Sequence, residues 1–191
     1  MPKPVATDDR MPPIPAEKMT PDQKKAAEEF AAGRGYSARG PFAVMLRSPE
    51  VMLRAKAMGD YLRFRNVLPK RVSEMVILIT AREWTQQYEW AYHYGFALKE
   101  GLAKAVVEAI AEGRRPDAMS EDEAAAYDFS IELHRTRRVS DATYARTLKI
   151  FGEQGIIDLI GVSGYYTAVS MTLNVAQVPV PDGSMPLKPL D

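Results

Sequence analysis

Helix signals punctuate this chain from end to end, and that restricts what it can fold into more than any other property. Thr20-Pro21 with Gln23 three residues past the cap, Ser48-Pro49-Glu50, Pro69, Ser120-Glu121-Asp122-Glu123 and Ser140 each supply a start. Their side chains can cap orphan amides, or their prolines suit a first turn. Gly33, Gly35, Gly101 and Gly113 supply stops. Between these marks apolar residues recur at helical spacing. No stretch alternates as a half-buried strand would, no repeat is evident, and no glycine-rich phosphate loop follows a strand. The sequence therefore predicts an all-α fold, with helices over 21–33, about 49–66, 69 to a break at Trp84-Thr85, 86–100, 103–111, 121–136, 141–152 and 154–175.

The ends differ from this middle. Residues 1–19 are Pro-rich and polar and read as an extended arm; 20–177 form one helical domain; 178–191 are again Pro-rich and cannot be helical, a tail suited to lying across a neighbour. In the helix from Pro49, Val51, Leu53, Ala57, Met58, Tyr61, Leu62 and Phe64 form the expected apolar stripe. The last helix, with Ile156, Ile157, Leu159, Ile160, Val162, Tyr166, Val169, Met171 and Leu173, is apolar nearly all round. A chain of 191 residues offers little room to bury such a helix alone, so a homo-oligomer is expected.

Composition removes several classes of function. The 25 basic residues balance 25 acidic ones without a long basic run, which leaves no electrostatic footprint for nucleic acid. No apolar leader and no uninterrupted run of membrane-spanning length occur, so a soluble, cytoplasmic protein acting on a small molecule is expected. The chain has no cysteine, so disulfides, thiolate metal sites and sulfur nucleophiles are excluded.

Charge appears where core is expected. Glu89 and His93 sit four residues apart in Tyr88-Glu89-Trp90-Ala91-Tyr92-His93, and Glu74 is isolated among Val72, Met75, Val76, Leu78 and Ile79 one helix earlier. An antiparallel hairpin turning near Trp84 brings Glu74 level with His93, with Glu89 on the same helix face about 6 Å nearer the turn. A histidine beside carboxylates can move a proton near neutral pH. Trp84, Tyr88, Trp90, Tyr92, Tyr94 and Phe96 are the expected walls of a dry, flat pocket. Arg71 is a candidate anchor for a substrate carboxylate or a partner of Glu74, and Tyr165, Tyr166 and Asn174 are within reach from the last helix. His134 reads as a solvated helix-end residue. The same Glu89-His93 spacing also suits an ordinary helix-stabilising pair, and one histidine with two glutamates also matches a divalent-ion site.

The run Leu68-Pro69-Lys70-Arg71-Val72-Ser73-Glu74-Met75-Val76-Ile77-Leu78, then Glu89-Trp90-Ala91-Tyr92-His93 and Gly101-Leu102, resembles the carboxymuconolactone decarboxylase family. The AhpD-like alkylhydroperoxidases share its fold. Phe151-Gly152-Glu153-Gln154 and the closing helix to Asn174 resemble it too, extending the likeness over about residues 40–181. In the peroxidase branch two cysteines precede the histidine; here Gln86 and Glu89 stand in their places, so thiol-dependent peroxide chemistry is excluded. The resemblance implies an AhpD-like helical bundle whose antiparallel hairpin carries the site. It also implies a trimer or hexamer, and decarboxylation of a lactone acid in aromatic catabolism with neither metal nor organic cofactor. Under that resemblance His93 is the proton donor, Glu89 its orienting partner and Glu74 a second relay group, with Arg71, Trp84, Trp90 and Tyr166 contacting substrate. The about forty residues preceding the likeness leave room for a different substrate. The alternative is a non-catalytic assembly protein of the same fold, with closed packing around the three charges.

Overall fold

The structure, a computed structural model, describes residues 9–180 and 187–188. Among them are a 3₁₀ turn, Ala16–Lys18, and eight α-helices. These are α1 Pro21–Arg34, α2 Pro41–Met45, α3 Pro49–Phe64, α4 Lys70–Glu83, α5 Gln87–Lys99, α6 Lys104–Ala111, α7 Glu121–Thr136 and α8 Asp141–Ala176. The capping signals hold where their chemistry is complete. Thr20 Oγ1 accepts from Gln23 N at 3.2 Å while Gln23 Oε1 accepts from Thr20 N at 3.0 Å, and Ser140 Oγ accepts from Thr143 N at 3.3 Å. Each such cap contributes about 1 kcal/mol. Ser48 makes no side-chain cap, and Pro49 alone opens α3.

At the centre lies α4, because its sequence presents apolar residues in every direction. Each residue from Val72 to Arg82 is buried, and α5, α6, α7 and α8 pack around it. One core cluster joins Val72, Met75, Val76 and Ile79 of α4 to Trp90, Val107, Phe129, Leu159, Val162 and Leu173. Ala26 and Phe30 of α1, with Leu46 and Met52, make a second cluster. That cluster seats the N-terminal helices on α3.

The expected stripe on α3 holds in part: Leu62 is buried and Leu53 and Tyr61 pack against the cores. Met52, Gly59 and Leu62 face inward, while Val51, Met58 and Phe64 are about half exposed. The inward row runs at helical spacing through a glycine, so counting apolar residues alone places the face only in part. Gly59 is required there because an added Cβ would lie 2.4 Å from the Tyr165 hydroxyl of α8.

Helix α8 is interrupted at Gly152, whose φ of 68° and ψ of 179° lie in a region open essentially to glycine alone. Its most apolar 18-residue window is 56% buried within the fold. His134, expected to be solvated, is half-buried against Thr80 Oγ1 at 3.1 Å.

The described parts of both arms rest on this chain itself. Arg10 N donates to Ala176 O at 2.8 Å, and Arg47 Nη2 donates to Pro12 O at 2.8 Å. Gln87 clasps Leu187 from both sides, accepting from its N at 2.6 Å and donating to its O at 2.9 Å. Arg82 Nη1 donates to Lys188 O at 2.7 Å. At 187–188 the tail thus lies over the α4–α5 turn of its own chain. The remainder of both arm assignments, 1–8, 181–186 and 189–191, falls outside the described residues.

Gly152→Ala should cost about 1–3 kcal/mol in chemical denaturation. Gly164→Ala, whose new Cβ meets open space in the same helix, should be neutral or stabilising by up to about 1 kcal/mol.

Candidate functional site

The α4–α5 turn sets the geometry of the site. Thr85 takes a φ of 46°, unusual for a β-branched residue, and its Oγ1 accepts from Arg82 Nη2 at 3.1 Å. Gln86 then caps α5, its Oε1 accepting from Glu89 N at 2.8 Å. Its Nε2 donates to Asn174 Oδ1 at 3.3 Å, and Asn174 Nδ2 donates to Trp84 O at 3.2 Å. The hairpin is thereby tied to α8.

This register brings the three charges together. His93 Nδ1 lies 2.6 Å from Glu74 Oε2, and His93 Nε2 lies 3.5 Å from Glu89 Oε2. Glu74, Glu89 and His93 are all buried. A carboxylate only accepts, so Nδ1–H donates to Glu74, leaving Nε2 toward Glu89. The two carboxylates take opposite ring nitrogens and therefore do not converge on a common point beside the ring. Glu74 holds and orients the imidazole, and Glu89 is the looser partner that reaches the cavity.

Burial by itself lowers the pKa of His93, but the hydrogen bonds and charges of Glu74 and Glu89 outweigh it, and the value is raised above the ordinary one. Tyr166 stands edge-on to the imidazole, ring centroids 5.1 Å apart. Its burial, with Glu89 adding to the effect, raises its pKa well above the ordinary phenol value. It remains an O–H donor at all working pH.

A cavity of about 50 Å³ opens beside these groups. Tyr88, Glu89, Tyr92 and His93 of α5 form its floor, and Gly59 and Arg63 of α3 with Tyr165 and Tyr166 of α8 form its sides. The α1–α2 region closes it with Arg34, Tyr36, Arg39 and Phe42. Among the expected aromatic walls, Tyr88 and Tyr92 are present because they share the helical phase of Glu89 and His93. Trp90 points the other way, into the core beside Tyr94 at 6.4 Å. Trp84 ends α4, away from the cavity. Arg71 lies on neither Glu74 nor the cavity; its Nη2 is 2.5 Å from Asp122 Oδ2 and its Nε 2.9 Å from Glu123 Oε1. Of Arg71, Trp84, Trp90 and Tyr166, only Tyr166 lines the cavity, and Tyr165 joins it there. Arg63, Tyr36, Arg39 and Phe42 were not expected, although Arg63 stands four residues after a glycine inside a helix, a sign of close packing on that face.

Because folding raises the His93 pKa, its bonds stabilise the fold fully below the unfolded value near 6.5. That contribution is lost as pH rises through the higher folded value. Urea unfolding from pH 5.5 to 9 should show wild-type stability declining across this interval, whereas His93→Gln should be less stable and lack that component of the slope.

No family model matches the sequence, and no curated protein matches it. By structure the chain is similar to the AhpD alkylhydroperoxidase core of an uncharacterized peroxidase-related protein from Ralstonia eutropha JMP134. The TM-score is 0.74 at 16% identity, over 94% of each chain. It is also similar to a cysteine-to-alanine variant of the debrominase Bmp8 in complex with 2,3,4-tribromopyrrole, with TM-score 0.70, 12% identity, and coverage of 92% of this chain and 94% of that one. A third, a protein of unknown function from Agrobacterium tumefaciens associated with AhpD and antioxidant defence, gives 0.60 at 14% identity, over 72% and 94%. The chain has the all-helical AhpD-like fold, without the cysteines of its thiol chemistry.

Proposed function

We propose that this protein is a cofactor-free acid–base enzyme acting on a small cyclic or unsaturated carboxylic acid or lactone, by decarboxylation or a related lyase or isomerase step. The observation that carries it is His93, buried between two carboxylates yet opening on a cavity. A purely structural triad would be packed shut. The bound tribromopyrrole of the debrominase neighbour supports a site for a flat, compact ring on this fold.

In such a reaction the carbon–carbon bond to the departing carboxylate breaks and carbon dioxide leaves. The electron pair stays on the substrate as an enolate. Tyr166 O–H donates to the developing oxyanion, which is worth most in a dry site. His93 Nε2–H delivers the proton to carbon, and Glu89 returns one from the open side of the cavity. Glu74 keeps the ring oriented. Thiol peroxidase chemistry has no place here, since Gln86 serves as a helix cap and Glu89 as a charge partner.

We also propose that copies of the chain associate in the cytoplasm as a trimer or hexamer. Ile157, Ile160, Met171 and Val175 of α8 are each 44–65% exposed, a row of apolar residues that a second copy would cover.

His93→Gln should lower turnover of an accepted lactone or unsaturated acid by about 10²–10⁴-fold, with the far-ultraviolet spectrum unchanged; retained turnover would sink the proton-transfer role. In light scattering after gel filtration, the double variant Ile157→Glu, Ile160→Glu should fall to the mass of one chain.

A further inference from the structure

Four arginines near the site invite comparison as anion-binding groups, and three are committed or peripheral. Arg34 Nη2 is paired with Asp60 Oδ1 at 2.6 Å. Arg71 is held by Asp122 and Glu123. Arg39 is exposed at the mouth, its guanidinium 4.5 Å from the centre of the Tyr36 ring. Arg63 differs from Arg34 and Arg71 in having no carboxylate partner among the described residues, and from Arg39 in being half-buried. It lines the cavity, and its guanidinium lies 4.9 Å from the Phe96 ring and 5.3 Å from the Tyr92 ring. Among the described residues it forms no ion pair with a carboxylate. Aromatic faces hold the cation in place but offer its planar fork no carboxylate oxygen.

We propose that Arg63 is the anchor for a substrate carboxylate, making this cavity selective for planar organic anions. The assignment deepens the acid–base reading above, on which it relies for the identity of the reacting site, though the binding itself does not require that chemistry. With His93 protonated, Glu74, Glu89, His93 and Arg63 sum to zero charge. An entering carboxylate then leaves one net negative charge and favours the imidazolium still further. Binding of the anion thus arms the proton donor.

The anchor also constrains which group can leave. A carboxylate paired with a guanidinium is stabilised as the ground-state anion, and that stabilisation disappears as it becomes neutral carbon dioxide. The anchored carboxylate is therefore the one retained. A substrate for decarboxylation must carry a second acid group, whereas a monoacid anchored at Arg63 is placed for proton transfer or isomerisation at its unsaturated carbons.

Crotonate and crotonamide test this, being planar, small and nearly identical in shape, with only one charged. In nuclear magnetic resonance titrations the wild type should bind crotonate at least about tenfold more tightly than crotonamide, as expected for a charge-assisted pair. Arg63→Met should abolish the preference by weakening crotonate alone. Arg63→Lys should keep part of it, and His93→Gln, which removes the imidazolium charge, should reduce it without abolishing it. A wild type without preference, or an Arg63→Met variant that retains it, overturns the proposal. Should Arg63→Met not fold, Arg63→Lys decides. Weaker crotonate binding with unchanged crotonamide binding supports the anchor, and unchanged binding of both overturns it. Loss of the preference in Arg63→Met, beside full turnover in His93→Gln, would leave the anchor standing and remove the acid–base reading instead.

Discussion

The bond between Glu74 and His93, at 2.6 Å, joins the two helices on which everything else is arranged. Glu74 sits on a helix whose surroundings are otherwise apolar, and an unpaired carboxylate there would cost several kcal/mol. His93 answers it from the antiparallel neighbour. Removing either partner strands the other, a penalty of about 3–5 kcal/mol for buried pairs, whereas the pair itself adds little over a well-packed apolar substitute. Its place in the most buried part of the fold is thus poorly explained by stability alone. Gln86 serves the same bond indirectly, since its cap on α5 and its tie to Asn174 hold the hairpin register within which the two side chains meet.

The cavity exists because three separate layers stop short of one another. Gly59 lets Tyr165 lie directly on α3, which sets the spacing of α8 from that helix. Tyr166 is then held edge-on to His93. The α1–α2 region closes the remaining side, positioned by the small core around Phe30 and Met52. Arg34 is central to that closure. It bonds Tyr36, pairs with Asp60 and lies over Phe30 and Phe42, so the outer wall is itself fastened by a half-buried cation. The residues before position 40 therefore shape the entrance to the site.

How much of this was legible in the sequence follows the range of the interactions. Glu89 and His93 declare themselves locally, four residues apart on one helix. Glu74 joins them because a hairpin turn relates positions symmetrically about Trp84. Capping boxes and glycines are local as well, so the longer helices are readable to within a few residues, whereas the five-residue α2, which has no side-chain cap, is not. Arg63 and Tyr36 reach the cavity through contacts between distant helices that no spacing rule relates. Arg71 illustrates the converse. Asp122 and Glu123 look like the acidic first turn of α7, yet they also capture an arginine about fifty residues away. Trp90 was assigned to the pocket by its chemistry, when helical phase relative to His93 turns it into the core.

Under the proposed function, the same phase would suit this site to acid chemistry in place of thiol chemistry. In a cysteine–histidine arrangement the imidazole must be neutral, ready to take the thiol proton. Here a carboxylate occupies the position nearest Nε2, and a second grips Nδ1, so the ring is held toward its protonated form. Such a histidine is poorly suited to activating a nucleophile and well suited to delivering a proton to a carbon that has just gained an electron pair. Under the proposed function, Glu89 at the place where the resemblance puts a sulfur would let the same histidine deliver a proton where a thiol would have given one up.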